Sequence, residues 1–466
     1  MMLVAGVDSS TQSCKVVVCD ADSGKILRHS KVPHPDGTEV PAEAWWRALR
    51  AARDGLLDGV SAISVAGQQH GLVALDAAGV PVRKALLWND TRSAAAAREL
   101  TEEFGGPQAW ADAVGSVPLA AHTVAKLRWL ADHEPQHADR VARVLLPHDY
   151  LTWRLRGGTP DLAPTTDRGD ASGTGYWSPA TGAYREDIVA LAFRGRVPEL
   201  PRVLDPAATA GHTGDGLLVA AGTGDNAAAA LGLGIGDGDV VVSLGTSGTV
   251  FTRAARPSAD AAGAINGFAD ATGAFLPLVC TLNAARVLDR TAALLGVGLR
   301  ELETLGRQSV PGSEGLTLLP YLTGERTPNL PDAAGSLHGL TVSNMSPEHV
   351  ARAGIEGMLC NLADALDRLR ADGIAPRRVL LIGGAAANRL VAEIAAEIFE
   401  VTVAVPEPQE YVALGAARQA AWALTGTTAP PDWAAPPAQE FSAPGEGRGR
   451  EIRARYDGVR RLVHGL

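Results

Sequence analysis

The chain has 466 residues, more than a single hydrophobic core usually supports, so two or more domains are expected. An apolar content of 46% needs no disorder to explain it, and a formal net charge of -10 argues against nucleic acid or an anionic membrane as the main partner. Four cysteines, Cys14, Cys19, Cys280 and Cys360, form no CxxC pair, and the MMLVAGVD start lacks a basic n-region, so a cytoplasmic location is expected. No apolar stretch approaches the length of a membrane span.

In chain order, strand-forming residues 4–7 and 15–19 flank the loop in GVDSSTQSCK, residues 6–15, and read as a hairpin with a Ser/Thr tip. A short apolar strand follows at 62–66 and runs into GQQHG, residues 67–71. LLWND, residues 86–90, ends another strand-like stretch. Helical runs come at 94–104, 124–132 and 149–155. A strand at 217–221 leads into GTGDN, residues 222–226, and an alanine-rich helix start at 227–231. The glycine-heavy run 232–239 reads as a hinge between halves.

The second half opens on a similar device, with strands at 239–242 and 250–252 around SLGTSGTV, residues 243–250. Ser346 and Pro347 are the expected N-cap and first residue of a long helix with apolar spacing over 350–369. A strand at 379–382 delivers GGAAAN from Gly383, and a helix is expected at 412–424. Residues 425–449, rich in Pro, Ala and Gly, read as a linker or surface tail, and 450–466 as a short docking helix.

Chemistry concentrates in four places. Hairpin tips of Ser, Thr and Gly turn backbone N–H groups and hydroxyls toward one point, the equipment for a phosphate, and two of them suggest two similar domains gripping one polyphosphate. Asp225 stands where a strand hands over to a helix, at the sheet edge where α/β proteins bind ligands; it is either an ordinary helix cap or a general base for a hydroxyl nucleophile. Asp8 in the first hairpin either shapes the turn or, because a bare carboxylate repels phosphate, holds Mg²⁺. Lys15 either neutralises phosphate or lines a solvated strand. Gln69, His70, Asn89 and Asp90 offer donors and acceptors for a polyol, and Trp88 a flat wall.

Three apparent motifs are discounted. HEPQH, residues 133–137, has the HExxH zinc spacing, but Pro135 breaks the helix that spacing requires. GTGDNA resembles a dinucleotide fingerprint, yet the next strand ends at Ser243 and Leu244 without an acidic residue for a ribose. No GxxxxGK[ST] occurs, which argues against a P-loop kinase.

The ordered set GVDSSTQSCK, GQQHG, LLWNDTR, LPHDYL, GDASGTG, GTGDNAA, SLGTSGT, LPYLTGERTP, IGGAAAN and ALGAA resembles the FGGY family of carbohydrate kinases over about residues 3–424. The resemblance implies an α/β chain of two actin-like, ribonuclease-H-like domains with an interdomain catalytic cleft: a sugar-binding domain at 1–238, a nucleotide-binding domain at 239–425 and a tail at 426–466. It implies ATP and Mg²⁺ as cofactors and a small sugar as partner, with a homodimer as the candidate assembly. GQQHG with WNDTR is most similar to members that phosphorylate the C5 hydroxyl of D-xylulose.

By position, the resemblance makes Asp225 the base and places Gln69, His70 and Asn226 on the sugar. It assigns Asp8 to the metal, with Thr11, Ser13 and Lys15 in the first phosphate loop. Gly245 and Thr246 fall in the second phosphate loop, and Gly383, Gly384 and Asn388 in the nucleotide segment. Ser10 stands where those members usually carry glycine, and GGAAAN is similar to the glycerol-kinase version. A kinase for ribulose, a deoxyketose or glycerol, and a non-catalytic actin-like ATP-binding protein, are the alternatives.

Overall fold

The computed structural model describes residues 1–443, 445 and 447–466. The chain falls into two compact units. The first comprises Met1–Ile235, Ala254–Leu276 and Glu410–Ala435, and the second Gly236–Arg253, Pro277–Gln409 and Pro436–Leu466.

The first unit is built on a mixed sheet whose neighbouring strands are, in order, Thr209–His212, Leu218–Ala220, Val60–Gly67, Leu3–Ser9, Ser13–Asp20 and Ile26–Pro33. The expected first hairpin is present, with Leu3–Ser9 antiparallel to Ser13–Asp20 and Ser9 opposite Cys14. Leu3–Ser9 also runs parallel to Val60–Gly67, and Thr223–Gly224 pairs in parallel with Ala66 and Gly67. Three chain segments therefore end at one sheet edge: at Ser9, at Gly67 and at Gly224.

Helices cover both faces of this sheet. Ala42–Arg53 buries Trp45 and Leu49 against Val16, Val18, Ile63 and Val65, and full burial of such side chains stabilises by about 2–3 kcal/mol each. On the opposite face lie Asp225–Leu233 and Tyr411–Thr425, packed on each other and on the central strands. The latter helix is alanine-rich and stops at Gly426 in a left-handed cap. It lies so close to the first strand that a Cβ at Gly6 would come 1.9 Å from the Ala413 carbonyl oxygen. Only glycine allows that approach.

The remaining helices expected in this unit form close to where periodicity places them, at Ala94–Glu103, Thr123–His133 and Pro147–Leu155. The HEPQH run is split: one helix ends at His133, the next starts at Pro135, and His137 Nδ1 pairs with Glu134 at 2.8 Å.

The second unit carries strands ordered Phe275–Thr281, Gly248–Thr252, Asp239–Leu244, Arg378–Ile382, Thr402–Pro406 and Ala438–Phe441. Its hairpin pairs Leu244 with Gly248, leaving Gly245–Ser247 as the tip. Asp239–Leu244 and Arg378–Ile382 run parallel, with Ser243 opposite Ile382, so the loops that follow leave from the same edge. Pro347–Ala371 is the long helix, and Ser346 is its N-cap by position. Its side chain makes no cap bond, because its hydroxyl donates to Glu348 Oε2 at 2.5 Å instead.

The glycine run 232–239 does two jobs. Gly232 lies inside the Asp225–Leu233 helix, where a Cβ would sit 2.1 Å from the Tyr411 carbonyl oxygen, and the passage between units falls at Ile235 and Gly236. Beyond residue 435, Ala438–Phe441 adds an antiparallel edge strand to the second unit's sheet. Arg448–His464 then forms a 17-residue helix against Arg389–Phe399 and Pro347–Ala371.

Candidate active site

At the first unit's sheet edge, Asp225 is the first helical residue of Asp225–Leu233, and Gly224, not Asp225, occupies the N-cap position. Capping therefore does not account for the carboxylate. Its Oδ1 accepts from the Asn226 backbone N–H and from Asn226 Nδ2, both at 2.8 Å, and Asn226 Nδ2 also donates to Gln69 Oε1 at 2.9 Å. Gln69, 157 positions earlier in the chain, thus joins Asp225 and Asn226 in one hydrogen-bonded row. Burial, and next the charge of Asp8, raise the Asp225 carboxyl to about 7, although part of the residue's surface remains open.

His70 follows directly, held at φ 68°, a sparsely populated conformation for a residue with a side chain. Its Nδ1 lies 2.7 Å from the Gly173 carbonyl oxygen, and because a carbonyl only accepts, Nδ1 carries the proton. The ring meets His122 edge-on at 5.1 Å and Phe268 at 5.5 Å. Neither His122 nor Phe268 carried a recognisable signal in the sequence.

Asp8 lies opposite Lys15 across the hairpin, with Lys15 Nζ 3.3 Å from Asp8 Oδ2 and 2.6 Å from Glu410 Oε2. Burial raises the Asp8 carboxyl to about 6, and Lys15 opposes that rise. Burial pulls the Lys15 ammonium down, but Asp8 and Glu410 together raise it above its ordinary value. Asp8 Oδ1 is buried without a hydrogen-bond partner, the condition of a carboxylate oxygen built to meet a cation or its water. Ser13 is buried in the strand after the tip, and Thr11 Oγ1 accepts from the Trp88 indole N–H at 2.8 Å.

One of the polyol candidates takes another role. Asp90 is buried and occupied, accepting from Thr38 Oγ1 and Arg92 Nε, both at 2.8 Å, so it braces its own loop. Trp88 is tied through its indole N–H to Thr11 in the first hairpin tip.

In the second unit, Gly245 and Thr246 are exposed at the hairpin tip, and their carbonyls accept from Ala285 and Ala284 at 2.9 and 3.2 Å. Gly383, at φ +93°, could not carry a Cβ, which would come 2.6 Å from the Leu244 carbonyl oxygen, whereas Gly384 has open space above it. Gly384–Ala387 forms a 3₁₀ turn, and Asn388 caps the next helix, its Oδ1 accepting from the Val391 N–H at 3.2 Å. Exposed glycine backbone at the carboxyl ends of two adjacent parallel strands suits a phosphate or nucleotide.

Among the described residues, no group of three or more His, Cys, Asp or Glu side chains gathers into a metal cage, and no helix is long and apolar enough to cross a membrane. Mg²⁺ that borrows most of its ligands from phosphate and water needs only one or two carboxylates, and Asp8 fits that demand.

Residues 3–239 match the N-terminal domain of the FGGY family of carbohydrate kinases and residues 240–424 match its C-terminal domain, so the chain belongs to that family. ATP use comes with the family. Over 448 residues the chain is 48% identical to the xylulose kinase of Streptomyces coelicolor, covering 92% of this chain and 89% of that one. The xylulose kinase of Streptomyces rubiginosus is 48% identical over 444 residues, 91% of this chain and 88% of the relative. The crystal structure of xylulose kinase from Bifidobacterium adolescentis superposes with a TM-score of 0.90 at 42% identity, covering 98% of this chain and 99% of that one.

Proposed function

We propose that this chain transfers the γ-phosphoryl group of ATP to the C5 hydroxyl of D-xylulose, giving D-xylulose 5-phosphate and ADP. The observation that carries the reading is the Asp225–Asn226–Gln69 row at a sheet edge, in a chain that shares 48% identity with xylulose kinases. A sugar hydroxyl must lose its proton as it attacks phosphorus, and a carboxyl held at about 7 is matched to accept that proton near neutral pH. Such a base is worth about 10²–10⁴ in rate.

Asn226, itself bonded to Gln69, holds the base; both amides are assigned to the sugar, and His70 adds a further polar edge. Trp88, anchored through its indole N–H to Thr11, is assigned to the sugar wall by its flat apolar face. Lys15, fixed by Asp8 and Glu410, offsets phosphate charge beside Thr11 and Ser13. Gly245, Thr246, Gly383, Gly384 and Asn388 are assigned to the nucleotide. Mg²⁺, when bound beside Asp8, would screen the polyphosphate and neutralise charge developing on the leaving oxygen. The four cysteines are buried and free, which supports a cytoplasmic setting.

The Asp225→Asn variant tests the assignment of the base. Turnover should fall by at least about a hundredfold, while calorimetric D-xylulose affinity stays within a few-fold of wild type. Near-normal turnover would remove Asp225 from the mechanism.

A further inference from the structure

Behind the edge that carries Asp225 and Gln69 lies a buried charged cluster for which the proposed reaction has no direct use. His148, Asp149, Asp167 and Asp170 are all essentially without solvent exposure. His148 Nδ1 lies 2.7 Å from Asp170 Oδ2, and its Nε2 lies 3.3 Å from Asp149 Oδ1 and 3.9 Å from Asp167 Oδ1. Burial alone would pull the imidazole down, but the three carboxylates overcome it and hold His148 at about 9, a cation under neutral conditions.

The cluster reaches the reacting edge at three points. Thr223, two residues before Asp225, donates its hydroxyl to Asp167 Oδ2 at 2.9 Å. A Cβ at Gly222 would lie 2.4 Å from His148 Cδ2, so the turn that opens GTGDN rests on the imidazole face. A Cβ at Gly67 would lie 2.9 Å from His148 Cβ, so the same residue underlies the strand end that presents Gln69. From the other side Gln419 Nε2 donates to the Gly222 carbonyl oxygen at 3.0 Å, and its own Oε1 accepts from Ser64 Oγ at 2.7 Å.

A structural core does not need this expense. Burying an imidazolium among three acids is costly, and burial raises all three carboxyls, Asp149 to about 7 and Asp170 to about 6; apolar residues of equal volume would usually be no less stable. What a charged, fully enclosed cluster supplies is fixed direction: the Thr223–Asp167 and His148–Asp170 hydrogen bonds fail if a partner shifts by an ångström, and charge attraction across 3.9 Å, with no hydrogen bond at Nε2, links His148 to Asp167. Asp167 is further immobilised by the backbone N–H groups of Gly169 and Asp170, at 2.7 and 3.0 Å.

We infer that the Thr223–Asp167–His148–Asp170 network is a positioning device, which fixes the Gly222–Gly224 turn and thereby sets the carboxylate of Asp225 for attack by the sugar hydroxyl. The inference rests on Asp225 being the base. All four are enclosed from solvent and act through Asp225, so their effect belongs in turnover and not in sugar binding. An offset of about 1 Å at a reacting group costs on the order of a hundredfold in rate.

The test compares Thr223→Val, Thr223→Ser, His148→Gln and Asp225→Asn by steady-state kinetics and thermal unfolding. Thr223→Val keeps the shape of the side chain and removes only the donor. We expect its kcat to fall by about tenfold or more with the D-xylulose KM within about twofold of wild type, and Thr223→Ser, which restores the donor, to recover most of the kcat. His148→Gln should lose kcat too, with the sugar KM also affected because His148 underlies the strand end that presents Gln69. If His148→Gln does not fold, the two Thr223 variants decide alone. Wild-type kcat in Thr223→Val with an inactive Asp225→Asn would overturn the positioning role and leave the base in place. An active Asp225→Asn would overturn both.

Discussion

At the scale of single residues, the account turns on a carboxyl held at about 7. Its ionised form is the active one, so kcat should fall as pH drops through neutrality, an ascending limb that a pH–rate profile between 5 and 9 would show. The same shift has a stability consequence. A carboxyl raised from about 4 in the unfolded chain to about 7 in the folded one keeps its proton better when folded, so stability is lost as pH rises across that window. Asp225→Asn removes that cost. It should unfold at a higher temperature than wild type at pH 8, by a free energy of up to about 4 kcal/mol, and the difference should vanish near pH 4. Of the site's residues, Asp225, Asn226, Gln69 and His70 were legible because each follows a strand end within a short polar motif. Glu410, which holds Lys15, and Gly173 and Phe268, which hold His70, were not, since their partners lie 395, 103 and 198 positions away in the chain.

At the scale of elements, the two hairpins could be read because strand-forming runs flank a tip made of Ser, Thr and Gly, and both formed with the tip where that chemistry put it. GGAAAN was less transparent. Its two glycines look alike in sequence, yet Gly383 is confined by its own torsion and by the Leu244 backbone, whereas Gly384 is open. Gly383→Ala should therefore destabilise the chain by about 1–3 kcal/mol. Gly384→Ala should leave the melting temperature unchanged and raise the KM for ATP several-fold, with the sugar KM unaltered. Calorimetric scans and two-substrate kinetics on the pair separate a structural glycine from one that a nucleotide approaches.

At the scale of the whole molecule, chain order and spatial order part company. The first unit recruits Ala254–Leu276 and Glu410–Ala435 from the second half of the sequence. The reason for the latter is local: the small residues of Tyr411–Thr425 fit the surface that Gly6 leaves bare. A composition rich in Pro, Ala and Gly hid the edge strand Ala438–Phe441, whereas the docking helix expected at 450–466 is present as Arg448–His464. Tyr456 is buried there and shares a 3.0 Å hydroxyl contact with Tyr321, and Arg453 and Arg460 both pair with Asp364. Burial raises the Asp364 carboxyl to about 6 against the pull of those arginines, so their removal would strand it. Ending the chain after residue 435 should cost the second unit several kcal/mol, by analogy with broken buried ion pairs. A lowered or missing unfolding transition in calorimetry would register it, and an unchanged profile would show the segment to be dispensable.

The central claim is a phosphoryl transfer from ATP to D-xylulose, and the most direct measurement is ADP release with Mg²⁺ and ATP against D-xylulose, D-ribulose, L-xylulose, L-ribulose, glycerol and no sugar. The highest kcat/KM is expected for D-xylulose, with little ATP consumption without sugar. A clear preference for another substrate, or ATP turnover indifferent to sugar, would contradict it.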